Sequence, residues 1–198
     1  MRPDLNRTRS RFAAVAATAV LALSLSACGG GADSAGSTSK PAAAGAVDKQ
    51  HNDADIAFVK DMTPHHESAV AMSELAPDRS DNPAVTALAA RIADAQEPEI
   101  AQMRSMAKAW GVDLGAGHSG GSHVGMDMTG ATTLEPLKGP AFDRAFLTEM
   151  IAHHESALPM SQAELDKGSN PQAKALAQRI AATQTAEIAE MKQLLTKV

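Results

Sequence analysis

From residue 53 onward, apolar side chains recur at three- and four-residue steps. Phe58, Met62, His65, Ala69 and Met72 fall on one face, which predicts a helix. Asp53 or Asp55 suits its start. Between Pro77 and Pro83 the pattern breaks in a cluster of Asp, Ser and Asn, the composition of a helix–helix turn. Asp81 or Asn82 can cap a second helix with Pro83 in its first turn. Val85, Leu88, Ile92, Met103, Met106 and Trp110 form that helix's apolar stripe, and Gly111 ends it. A Gly-rich connection spans 112–139. The helical period then returns with Phe142, Phe146, Met150, His153, Ala157 and Met160. A second turn falls at Lys167–Pro171, and Leu176, Ile180, Ile188 and Met191 mark a last helix. No stretch alternates as a strand would.

The two helical segments are related. A shift of 88 residues aligns 55–110 with 143–198 without a gap, and about 25 of 56 positions are then identical. The stretch Met-Thr-Pro-His-His-Glu-Ser-Ala-Val-Ala-Met at 62–72 returns as Met-Ile-Ala-His-His-Glu-Ser-Ala-Leu-Pro-Met at 150–160. Each repeat, 53–111 and 140–198, reads as an αα-hairpin that cannot bury its apolar stripe alone. Two hairpins packed together predict an all-α, four-helix bundle within a domain at 51–198. Four Phe and one Trp are the only large aromatics, so the core must be built from Ala, Leu, Ile and Met. Pro64 and Pro159 interrupt the first helix of each half at different points, and either would remove a backbone hydrogen bond. Thr63 capping a new helix at Pro64 is the other reading.

Composition adds the setting. Arg2, Arg7, Arg9 and Arg11 precede an apolar run from Phe12 to Ala27 that ends Leu-Ser-Ala-Cys. Residues 1–28 therefore read as a secretory signal, and the Cys28 context resembles a lipoprotein processing site. Lipidation at Cys28 would anchor the chain to the outer face of the cell membrane. Residues 29–50, mostly Gly, Ala and Ser, read as a tether. Cys28 is the only cysteine, so no intrachain disulfide is available. The net charge is −5, and it becomes −8 once the signal with its four arginines and Asp4 is removed; an acidic chain without a basic cluster argues against a nucleic-acid partner and electrostatic membrane binding. A homo-oligomer is compatible with the pattern.

The chemistry concentrates in the repeated stretches. Imidazole and thioether are ligands for copper, and thioether favours Cu(I). His65, His66, Met62 and Met72, with His153, His154, Met150 and Met160, form the candidate metal set, Met62 and Met72 projecting toward one region with a histidine. A core histidine bonded to a neighbouring helix is the competing reading, and methionine commonly fills helical cores. On the second helices Gln96, Glu99 and Met103 recur as Gln184, Glu187 and Met191. A carboxylate facing a bundle core must be paired or ligating. Glu99 and Glu187 are thus either supports hydrogen-bonded to the histidines or ligands themselves. His118, His123, Met126 and Met128 in the central connection form a possible auxiliary metal loop. There is no Gly-x-Ser-x-Gly elbow, phosphate-binding loop or dinucleotide fingerprint, and no Glu-x-x-His of the di-iron type.

The pattern Phe58-x-x-x-Met62-x-x-His65-His66-x-x-Ala69-x-x-Met72, followed by Gln96-x-x-Glu99-Ile100-x-x-Met103, resembles the DUF305 family. It matches twice and spans nearly the whole folded region. The resemblance implies a ferritin-like bundle, usually exported, with some members linked to copper binding and resistance. Carried over, the implied positions are Met62, His65, His66, Met72, Glu99, Met103 and their counterparts 88 residues on. The expectation is a non-catalytic copper-binding lipoprotein. The alternatives are a ferritin-like metal-dependent oxidase using Glu99 and Glu187, and a structural or partner-binding lipoprotein without metal.

Overall fold

The computed structural model describes residues 47–114 and 130–198. Every regular element among them is helical: α1 Asp53–Glu74, α2 Ala76–Arg79, α3 Pro83–Trp110, α4 Gly130–Leu134, α5 Gly139–Lys167 and α6 Pro171–Leu195. The four long helices α1, α3, α5 and α6 make the bundle. α1 packs chiefly on α3 and α5 on α6, and the two hairpins meet mainly through α1 and α5. No helix among the described residues is long and apolar enough to cross a membrane.

The turns follow the local chemistry closely. Asn52, rather than Asp53 or Asp55, caps α1. Its side chain accepts from the amides of Ala54 at 2.9 Å and Asp55 at 3.1 Å, while Asp55 accepts from the Asn52 amide at 2.7 Å. That reciprocal pair satisfies orphan amides at the helix start, and Asn provides the short acceptor it needs. Asn82 and Asn170 cap α3 and α6 by accepting from helix amides without a return bond, each followed by proline at the first helical position. Gly111 ends α3 at φ 70°, a left-handed conformation that a Cβ would disfavour. The first turn holds a short helix, α2, where a plain turn was expected, and the central connection holds α4. Thr63 starts no new helix. Pro64 lies inside a continuous α1, as Pro159 does in α5 and Pro98 does in α3.

Two buried carboxylates tie the hairpins together. Asp55 on α1 accepts from the Asn170 amide at 2.9 Å and the Ser169 hydroxyl at 2.9 Å, both in the α5–α6 turn. Burial raises the Asp55 pKa, but the hydrogen bonds it accepts outweigh burial and hold it below the usual carboxylate range. Asp143, 88 residues on, accepts from Ser80 in the turn of the other hairpin.

The core divides in two. One apolar cluster joins the end of α1 (Ala69, Met72), the start of α3 (Val85, Leu88, Ile92), the start of α5 (Phe142, Phe146, Met150) and the end of α6 (Ile188, Met191). The other joins the start of α1 (Phe58, Met62), the end of α3 (Ile100, Met103, Met106), Ala157 of α5 and the start of α6 (Ala173, Leu176, Ile180). α1 and α5 therefore run antiparallel, as do α3 and α6. His65, His66, Gln96, Glu99 and their counterparts stand between the clusters in helix register.

Candidate metal centre

The histidines divide by direction. Adjacent residues on a helix point about 100° apart, so His65 faces the other hairpin while His66 faces α3. His66 Nε2 donates to Glu99 Oε2 at 3.0 Å, and His154 Nε2 donates to Glu187 Oε2 at 2.8 Å. Both imidazoles are fully buried, and both carboxylates keep a partly exposed edge. The expected contact within each hairpin is thus present, and it is a hydrogen bond between imidazole and carboxylate.

His65 and His153 meet across the two hairpins. Their ring centroids are 3.7 Å apart with the planes tilted by 36°. His65 Nε2 lies 3.0 Å from the His153 carbonyl and 2.9 Å from Ser156 Oγ, and that hydroxyl donates to the same carbonyl at 2.6 Å. Burial and the neighbouring histidines lower the His65 pKa to about 3. Burial, with His65 next, lowers that of His153 to about 2. Both rings are therefore neutral at physiological pH, the form in which imidazole ligates a metal.

The unpaired atoms define what the layer can do. A carboxylate or carbonyl oxygen can only accept, so Nε2 of His65, His66 and His154 must carry a proton, and in the neutral ring of His65 Nδ1 is then a lone pair. The Nδ1 atoms of all four histidines are buried without a protein hydrogen-bond partner among the described residues. Both carboxamide atoms of Gln96 and of Gln184 are buried and unpartnered as well. Each such group costs about 1–3 kcal/mol, and an apolar layer of the same volume would avoid that cost.

The methionines do not gather as the spacing suggested. Met62 and Met72 lie ten residues apart on α1, roughly 15 Å along the axis, and belong to opposite apolar clusters. Met62 and Met103 share one cluster with half-buried Met160 packed against it, whereas Met72, Met150 and Met191 share the other. Thioethers from both hairpins thus flank the histidine layer on each side. No group of three or more His, Cys, Asp or Glu side chains among the described residues is arranged to hold a metal. The thioethers beside the imidazoles are donors that suit a soft cation. Cys28 and the loop residues His118, His123, Met126 and Met128 lie outside the described residues.

Two features escaped the sequence reading. Ser156 closes the contact between His65 and the other hairpin; its recurrence, with Ser68 at the matching place after the first His pair, was the available signal. The glutamate of each His-His-Glu triplet reaches the second helix of its hairpin, Glu67 to Arg104 at 2.9 Å and Glu155 to Lys192 at 2.7 Å. These exposed pairs contribute little, about 0–1 kcal/mol.

A family model described as "Domain of unknown function (DUF305)" matches residues 55–195. The chain belongs to the DUF305 family. The solved structures it resembles include a DUF305 fragment from Deinococcus radiodurans, at 28% identity and TM-score 0.65, covering 74% of this chain and 98% of that one. A DUF305 protein from Streptomyces coelicolor described as secreted matches at 27% identity and TM-score 0.66, covering 73% and 93%. CopM in its Cu(II)-bound form matches at 32% identity and TM-score 0.62, covering 72% and 96%, and the values for its Cu(I)-bound form are the same. No curated protein matches the chain. Copper binding therefore occurs among the DUF305 chain's structural neighbours.

Proposed function

We propose that this DUF305 chain is a lipid-anchored, extracytoplasmic copper-binding protein that takes up Cu(I) in its histidine layer and buffers it or hands it on. The observation that carries the reading is the set of buried, unpartnered Nδ1 atoms between two thioether clusters. Cu(I) accepts both nitrogen and thioether sulfur, and a neutral imidazole binds it without first losing a proton. Glu99 and Glu187, by holding Nε2–H, set which nitrogen is free and raise its basicity. Similarity to CopM, solved with copper bound, supports the same chemistry, and the similarity to a DUF305 protein described as secreted supports an exported location. The lipid at Cys28 would hold the domain through the 29–50 tether where incoming copper meets the cell.

The test is direct. The chain from Gly29 onward is loaded with Cu(I) under reducing conditions, desalted, and assayed for bound metal. Replacing His65, His66, His153 and His154 with Ala is expected to abolish retention. Unchanged retention would sink the proposal.

A second reading has its own observation. The His66–Glu99 and His154–Glu187 hydrogen bonds each fasten one hairpin, which suits a structural or partner-binding lipoprotein without metal. Protein purified from its native envelope free of copper, but losing thermal stability on replacement of His66, would favour it. Bound iron or manganese would instead favour the ferritin-like oxidase reading.

A further inference from the structure

The 88-residue correspondence extends to two grooves between α1 and α5, and the two are not alike. One groove, of about 440 Å³, is lined by Ala54, Phe58, Pro159, Met160 and Ala163, with Asp61 and Ser156 at the end nearer the histidines. Ser156 Oγ is 2.9 Å from His65 Nε2, so the groove ends one side chain away from the layer. Met160 on its wall is half-buried.

The counterpart groove is filled. Phe142 stands where the open groove has Ala54, and Leu75 stands where it has Ala163. α4 lies over it against α1 and α5. Leu134 of α4 is fully buried in the cluster that holds Phe142, Phe146 and Met72, with Leu75 packed alongside. Thr133 Oγ1 donates to Glu149 at 2.8 Å, and Glu149 is the residue matching Asp61. Met72, the counterpart of Met160, is 1% exposed. Of these two equivalent approaches, one is therefore filled and the other open among the described residues.

We propose that Cu(I) reaches the histidine layer through the groove beside Met160 and not through its counterpart, with the Met160 thioether as the receiving ligand and α4 as the permanent plug of the other side. This rests on the copper reading above and adds a direction to it. A soft sulfur on a concave, apolar wall holds a cation that has shed its water, while Asp61, at the groove's inner end, draws positive charge toward the histidines. No electron is transferred; the metal exchanges a carrier's ligands for thioether and then imidazole.

The experiment installs the plug's own residues on the open side. Ala54→Phe with Ala163→Leu copies Phe142 and Leu75 and touches no proposed copper ligand. Cu(I) is presented as a weak-chelator complex, and both the rate of transfer and the final stoichiometry are measured. The expected result is transfer slowed about tenfold or more at unchanged stoichiometry, because association that must wait for a conformational opening is slow. Transfer at the wild-type rate would overturn the route while leaving the copper reading intact. Wild-type protein that retains no copper would overturn both. A measurement on the wild-type chain guards against a misfolded variant: mild peroxide should oxidise Met160 before Met72, and Cu(I) loaded anaerobically beforehand should protect Met160 from alkylation at neutral pH, read at that residue by mass spectrometry. Equal reactivity of the two methionines, or no protection, would count against the route.

Discussion

The imidazoles of His65 and His153, on different hairpins, lie with their centroids 3.7 Å apart. Such a contact excludes a second positive charge, and burial excludes the first. The bundle is thus closed around two bases that the unfolded chain would protonate near pH 6.5.

Acid lability follows from that pair. The folded-state pKa values are depressed to about 3 for His65 and about 2 for His153. Between those values and about 6.5 the unfolded chain binds more protons than the native one, so stability falls as pH falls through this window. Urea unfolding at pH 7.5, 6 and 5 should show a loss approaching ~1.4 kcal/mol per pH unit for each histidine below pH 6. His65→Gln with His153→Gln should flatten that slope. An unchanged slope would contradict the assignment.

The His66–Glu99 hydrogen bond is expected to report in a double-mutant cycle. His66→Ala leaves Glu99 without its buried partner and should cost about 1–3 kcal/mol. Adding Glu99→Ala should recover part of the loss, with a coupling of about 0.5–3 kcal/mol. His154 and Glu187 should behave alike, since their 2.8 Å contact is equivalent. A coupling near zero would mean that the contact fastens nothing.

Copper affinity should depend on the same carboxylates without depending on them for stoichiometry. Glu99→Gln or Glu187→Gln weakens the hydrogen bond that directs the histidine's free nitrogen, and losses of about 10–100-fold in affinity are typical of such supports. Competition with a Cu(I) chelator would measure the change. Full affinity in both variants would place the metal away from this layer.

Glu164 makes a prediction at the other end of α5. It is 1% exposed, and burial first, with the Asp55 carboxylate beside it, pushes its pKa up to about 8. The native state therefore keeps a proton that the unfolded chain releases above about pH 4.5, and stability falls as pH rises from there to about 8. Glu164→Gln should remove that dependence and raise Tm at pH 8 by about 2–4 °C, which is ~1 kcal/mol in a domain of this size. No gain at pH 8 would show that the native acid is not held neutral.

Much of this was legible along the chain. The period of the apolar residues placed all four long helices, because each helix buries one stripe. Asn82, Asn170 and Gly111 announced their boundaries through local backbone chemistry. Asn52 was passed over because three acidic or amide residues compete near Asp53, and only the reciprocal bond with Asp55 decides among them. α4 was missed because five residues are too few to show a period.

The division falls at the scale of the hairpin. Within one hairpin, a turn of known position and the 3.6-residue period limit which residues can face each other, so a contact between each His pair and the glutamate of its own hairpin could be anticipated, while the choice of His66 and His154 to make it could not. Between hairpins, no local rule sets how the two units cross. Only the tertiary structure could bring His65 onto His153, send Met62 and Met72 into opposite clusters, and leave one α1–α5 groove open while α4 fills the other. Those outcomes depend on which faces bury together, which is a property of the packed bundle and not of either repeat.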